Sequence, residues 1–191
     1  VSGAPAAASS PLPDGFERVA RALAALGHGH APLWLTVPVR TSQEAADHLG
    51  VAVGQIAKSV VFRRLADDRP VLVIASGDRR VDEGRVAAIT GGLGRADAGF
   101  VKRCTGFSIG GVAPLAHEPM RPLTLIDREL FRFDVVWAAA GHPNGVFRMT
   151  PAELVRLAGD PPVADVVQPI AAAPAASPAA SPAAAERRAA D

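Results

Sequence analysis

One cysteine, no tyrosine and two lysines stand among 191 residues, and each scarcity excludes something. Cys104 has no partner within the chain, so a disulfide framework and a cysteine-rich zinc site are both unavailable. No apolar run approaches the roughly 20 residues that a membrane span needs. No charged segment followed by an apolar core opens the chain, so no signal peptide is expected. A soluble, cytoplasmic protein with no membrane partner is the expectation. The formal net charge of +1 argues against a general nucleic-acid coat. It leaves room for recognition of one RNA end by a few arginines. Lysine supplies only Lys58 and Lys102 of the 20 basic residues, and against that bias each lysine stands out.

The 49% hydrophobic content overstates the core, because alanine is about a fifth of the chain and buries little. Much of that alanine lies at the ends. Residues 1–13 and 169–191 are rich in Ala, Pro and Ser, with too few large apolar groups to offset ordering entropy. Both are expected to be disordered, leaving one domain over residues 14–168. A body of about 150 residues buries roughly 70% of its unfolded surface, enough to fold without disulfides.

Three helix starts carry the capping-box pattern, in which side chain and backbone satisfy each other's donors: Asp14 with Glu17, Thr41 with Glu44, and Thr150 with Glu153. The first helix repeats apolar residues at Phe16, Val19, Ala20, Leu23 and Leu26, and Gly27 ends it. The second runs from Ser42 to Leu49, the third from Pro151 to Ala158. Further helices are predicted at Glu83–Thr90 and Ala98–Cys104. Strands are predicted at Leu33–Val37, Ser59–Arg64, Val71–Ser76, Leu123–Ile126, Val135–Ala140 and Val146–Met149, with Val163–Val167 as an edge. Residues 65–70 read as a hairpin turn. Several strands are apolar on both faces, as strands buried between helices or inside a barrel are. Hairpins mixed with helices favour α+β over a doubly wound parallel sheet.

Few motifs speak for chemistry. Gly91–Gly94 lacks the Lys-Ser/Thr of a phosphate loop and reads as a helix cap and turn. His28 and His30 have no second cluster of ligands, so no metal or other cofactor is expected. Ser108, Asp127 and His142 could be drawn as a triad, but Ser108 lacks the strand-turn-helix elbow. Cys104 with His142 has the same weakness. Two features are sharper. Lys58 opens an apolar strand, where an ammonium either snorkels to water or is presented into a cleft. In Phe107–Pro114 the glycines Gly110 and Gly111 read either as a plain turn or as backbone that lets a ligand approach, where exposed amides can hold an anion or a developing oxyanion.

The order of these segments matters more than any one of them. A Thr-x-x-Glu-Ala-Ala helix at residues 41–49 precedes Gln55-Ile56-Ala57-Lys58-Ser59-Val60-Val61-Phe62. Then come residues 71–78 (VLVIASGD), 107–114 (FSIGGVAP), Ile126-Asp127, Ala140-Gly141-His142 and residues 146–154 (VFRMTPAEL). In this order and spacing the chain resembles the YbaK/EbsC family of aminoacyl-tRNA deacylases. That family includes the editing insertion domain of bacterial prolyl-tRNA synthetases. The likeness covers about residues 14–160.

The resemblance implies a mixed, barrel-like β-sheet surrounded by helices. It implies hydrolysis of the ester joining a wrong small amino acid (Ala, Ser, Thr or Cys) to a tRNA 3′ end, by a free-standing enzyme acting in trans. Lys58 and Gly110 would be the catalytic positions. Ser108, Gly111, Pro114 and His142 would bind substrate, with His142 near a position that shapes the amino-acid pocket. The implied partners are the acceptor end of an aminoacyl-tRNA and prolyl-tRNA synthetase or another translation factor. Arg63, Arg64, Arg79, Arg80, Lys102 and Arg103 are candidates to grip the acceptor stem. Two other readings compete. One is a non-catalytic module that binds aminoacyl-RNA or a protein. The other is a hydrolase of a different small activated ester.

Overall fold

The computed structural model describes residues 11–37 and 39–169. The two terminal segments read as disordered therefore fall, but for a few positions, outside the described residues. Five helices and eight strands follow in the order α1 (Asp14–Ala25), β1 (Leu33–Trp34), α2 (Ser42–Leu49), β2 (Ile56–Arg64), β3 (Pro70–Ser76), α3 (Glu83–Thr90), β4 (Leu93–Arg95), α4 (Ala98–Thr105), β5 (Leu123–Asp127), β6 (Val136–Ala139), β7 (Gly145–Met149), α5 (Pro151–Leu157) and β8 (Val163–Ala164). Short 3-10 turns lie at Val53–Gln55 and Arg128–Arg132.

The strands form one mixed sheet in the order β1-β7-β6-β2-β3-β5-β8. β2 and β3 are the expected antiparallel hairpin, paired from Ala57 with Ser76 to Arg63 with Pro70. β3 with β5 and β5 with β8 run parallel. On its other edge β2 has two partners at its two ends. β6 pairs in parallel with Ile56 and Ala57, and β4 pairs antiparallel with Phe62, Arg63 and Arg64. Among the described residues no strand pairs with residues 58–61 on that side. Alternate residues of an antiparallel strand turn their peptide groups away from the partner. This stretch therefore directs backbone donors and acceptors into the gap.

Every residue of β3 is buried, which explains its unbroken apolar run. Leu72 and Ile74 join the main core with Phe16, Val19 and Leu23 of α1, Phe107, Phe147 and Leu154. Val71, Val73 and Ala75 point the other way, onto Val86 of α3, Leu125 and Val166. A third, smaller cluster seats Ala45 and Ala46 of α2 on Ile56 and Val39.

Four expectations need correction. The Asp14–Glu17 capping box does not form: Pro13 occupies the cap position with no side-chain bond, and its carbonyl receives the amides of Phe16 and Glu17. Asp14 and Glu17 are instead first-turn acids, favourable beside the exposed amides of a helix start. The strand predicted at Leu33–Val37 stops at Trp34, because Asn144 engages the Leu35 backbone through both its side chain and its carbonyl. Gly91 is the expected helix cap, but Leu93–Arg95 continues as β4. Three residues that follow two glycines and contain a third carry no periodicity to read. The edge strand at Val163–Val167 is two residues long, with Val167 making only an isolated bridge to Val81.

Candidate active site

The gap in the sheet is where the molecule opens. A cavity of about 260 Å³ lies against Ala57, Lys58 and Ser59 on one side and against β6, β7 and Pro143 on the other. Its walls are largely apolar: Val39, Ala45, Ile56, Trp137, Ala138 and Val146. Thr41 and Ser42, at the start of α2, border it, as does the exposed Arg40. A smaller cavity of about 170 Å³ continues along the same edge, from Ser59 to Val61, toward Ala96 and Val101. The loop carrying Ile109, Gly110 and Val112 forms the wall common to both.

Among the described residues Lys58 is the only lysine at this opening, and it is half-buried. Its ammonium neither snorkels to water nor points freely into the cleft. It donates to the carbonyls of Arg79 and, at 3.5 Å, Gly77, in the turn that follows β3. An ammonium has three donors, so one remains for a ligand. Burial lowers the Lys58 pKa from its ordinary value, while the carboxylates of Asp78 and Asp127 act in the opposite direction.

Gly110 sits in a tight turn, with φ of +86° at the third position of Ser108–Gly111. The Gly111 amide closes that turn on the Ser108 carbonyl at 2.9 Å. It is thereby committed, while the Gly110 amide has no acceptor among the described residues. A Cβ on Gly111 would meet the His142 backbone at 2.7 Å. Glycine there lets the 107–114 loop lie directly on the 141–145 loop, whose Pro143 closes the cavity.

The sequence-predicted residues thus divide. Lys58 and Gly110 border the cavity together. Gly111 and His142 form the loop contact behind its wall. Ser108 is exposed and Pro114 is buried, and neither borders the cavity. The His142 ring stacks on Trp34 at 4.7 Å, and its Nδ1 accepts the Asn144 amide. Asp127 accepts the amides of Ser76 and Glu129, so Ser108, Asp127 and His142 make no triad. Cys104 is a buried residue of α4 whose thiol pKa is raised by burial. Among the described residues no three His, Cys, Asp or Glu side chains gather as metal ligands.

The acceptor-stem candidates fare differently. Arg63 pairs with Asp68, Arg64 with Asp67 and Arg79 with Glu129. Arg63 also lies about 17 Å along β2 from Lys58, by strand rise. Arg40 was missed by the sequence reading, yet it borders the opening and its guanidinium meets no carboxylate among the described residues. Ser59 and Trp137 were missed as well. Nothing local in the sequence marks them, since only pairing across the sheet brings them to one place.

Comparison with known proteins decides the family. Residues 36–157, well over half of the chain, match the model of the aminoacyl-tRNA editing domain. The chain belongs to this family. The match spans Lys58, the Gly110 turn and His142, and leaves α1 and β8 outside. The uncharacterized protein YwhH of Bacillus subtilis (strain 168) is 37% identical over 117 residues, 60% of this chain and 72% of YwhH. A proline–tRNA ligase of Gloeobacter violaceus is 40% identical over 62 residues, which are 31% of this chain and 10% of the ligase. A crystal structure of a proposed trans-editing enzyme for prolyl tRNA synthetase superposes with a TM-score of 0.76 at 38% identity. It covers 83% of this chain and 100% of that one. The editing-domain fold is therefore the mixed sheet with surrounding helices described above.

Proposed function

We propose that this editing domain is a deacylase acting in trans on mischarged aminoacyl-tRNA, removing a small amino acid such as Ala, Ser, Thr or Cys. The carrying observation is the apolar-walled opening at residues 58–61, bordered by one partly committed ammonium and one uncommitted amide. An aminoacyl ester is already activated, so holding it beside a water and stabilising the oxyanion can suffice. Water adds to the ester carbonyl, negative charge gathers on its oxygen, and collapse releases the ribose hydroxyl and the free amino acid. The free N–H of Lys58 and the amide of Gly110 are the assigned donors to that charge. Among the described residues no Asp, Glu, His or Cys borders the cavity. A ribose hydroxyl of the substrate is accordingly assigned to position the water. Gly111 and His142 support the wall. Arg40 is assigned to the RNA backbone at the mouth.

Ser108 and Pro114 keep only an indirect role, through the shape of their loop. The small cavity volume favours a small side chain. A match to a chain named for trans-editing along its entire length supports action on tRNA in trans. The two carbonyl bonds of Lys58 favour one alternative, a non-catalytic binder in which this lysine is purely structural.

Turnover separates the two. The native chain should deacylate tRNA charged with at least one of Ala, Ser, Thr and Cys, and spare cognate Pro-tRNA. Lys58→Ala should lower kcat/KM at least tenfold, which is about 1.4 kcal/mol of transition-state stabilisation. Normal hydrolysis by Lys58→Ala would remove the lysine from the reaction. No turnover of any charged tRNA by the native chain would leave the binding module.

A further inference from the structure

We propose that Asp78 and Arg132 are positioning residues that aim Lys58, acting through the turn whose carbonyls hold its ammonium. This rests on the role assigned to Lys58 above. The sheet itself does not hold that turn: the β2–β3 pairing ends at Ala57 and Ser76, one residue before Gly77. Side chains hold it instead. Arg132 Nη2 donates to both carboxylate oxygens of Asp78, at 3.0 and 3.1 Å, and to the Ser76 hydroxyl at 3.1 Å. That hydroxyl lies 2.7 Å from the Gly54 carbonyl and 2.7 Å from Asp78 Oδ1. The Ser76 amide donates to Asp127 at 3.3 Å, and Arg79 is pinned to Glu129 at 2.9 Å. The 3-10 turn carrying Arg132 is thus strapped to the turn carrying the Gly77 and Arg79 carbonyls.

Asp78 and Arg132 are only partly buried, and ion pairs of that kind contribute little to stability. Their geometric effect is a different matter, because a misplacement of about 1 Å in a catalytic group can cost 10²-fold in rate. Charge and geometry also make opposite predictions. Lys58 faces the carboxylates of Asp78 and Asp127 on one side, with the Arg79 and Arg132 cations behind them and Arg40 across the cavity. If only charge mattered, neutralising Asp78 and neutralising Arg132 would move Lys58 in opposite senses. If aim matters, both changes lose rate.

Having two lysines makes this measurable. In the full chain labelled with 15N at the lysine Nζ, Lys58 and Lys102 supply the two side-chain signals, and Lys102 is the internal reference. Asp78→Asn and Arg132→Met should each lower kcat on the best mischarged tRNA about tenfold, with KM within twofold. The Lys58 titration midpoint should fall in Asp78→Asn and rise in Arg132→Met, while Lys102 stays put. Arg132→Lys, which keeps the charge without the forked geometry, should give an intermediate kcat, and it carries the test if Asp78→Asn fails to fold. Rates within twofold of native in the folded variants, or rates that move in opposite directions with the charge, would overturn the proposal. If native protein turns over no charged tRNA, the deacylase reading fails on its own. The order of the Lys58 Nζ signal then decides the clamp: it should fall in both variants, and order unchanged in both refutes the proposal.

Discussion

Gly110 shows most directly how one residue joins backbone conformation to chemistry. Its φ of +86° lies in the region that L side chains rarely adopt, and a Cβ there would meet Pro143 Cγ at 3.5 Å. The uncommitted amide of Gly110 exists because the chain turns at that point. Gly110→Ala should cost about 1–2 kcal/mol, the penalty of a left-handed conformation for a residue with a Cβ. Gly110→Val adds branched bulk against Pro143 and should depress deacylation of every charged tRNA alike. Melting curves and single-turnover rates on both variants check this. A valine variant with native rates would remove the turn from the reaction. Lys58 holds a second lesson at this scale. Bonded to two carbonyls, it supports the local fold as well, so Lys58→Ala should lose some stability along with activity.

Among the elements, α5 has the most complete local specification. Thr150 accepts the Glu153 amide, Glu153 accepts the Thr150 amide, and Pro151 fills the first helical position. The bond from the Thr150 amide is the main cause holding the Glu153 carboxyl below its usual range. α5 buries Leu154 and Leu157 in the main core, and none of its residues borders the cavity. Thr150→Ala should therefore destabilise the fold by about 1 kcal/mol through the lost cap. It should leave the rate of ester hydrolysis by folded protein unaltered. Urea unfolding compared with turnover at low temperature separates those effects. A Thr150→Ala chain as stable as native would show that core packing alone holds this helix.

For the whole molecule, the telling group is His117, partly buried near Arg18, with its Nε2 enclosed and unbonded among the described residues. Its ring meets Phe107 edge-on at 5.8 Å, and Arg18 covers the same Phe107 at 4.5 Å. Burial pushes its pKa down to about 4, with the Arg18 charge adding to the effect. The folded state thus resists a proton that the unfolded chain accepts near its ordinary value of about 6.5. Unfolded protein binds more protons between those values, so stability is fully present above pH 6.5 and declines as pH falls toward 4. Between pH 6.5 and pH 5 the loss should be roughly 1.5 kcal/mol from this group. Denaturant unfolding at the two pH values measures it. His117→Gln should flatten the slope, and an equal slope in that variant would assign the acid sensitivity elsewhere.

The sequence alone determined the parts whose causes are local. Helix caps at Thr41 and Thr150, the β2–β3 hairpin, the doubly apolar β3 and the order of motifs are written within a few neighbouring residues each. That is why the α+β class and the family were legible. What only the tertiary structure decided depends on partners distant in the chain. The gap at residues 58–61 exists because β6 and β4 reach β2 only at its two ends, and no local pattern encodes where two strands stop. Arg40 and Trp137 become cavity residues through that same pairing. The Asp78–Arg132 clamp joins positions 54 residues apart, and the carbonyls that hold Lys58 carry no side-chain signature at all. Ser108 and Pro114 fell away from the cavity for a related reason. A motif specifies that a loop turns, but which of its residues faces the opening is settled by the neighbouring loop against which it packs.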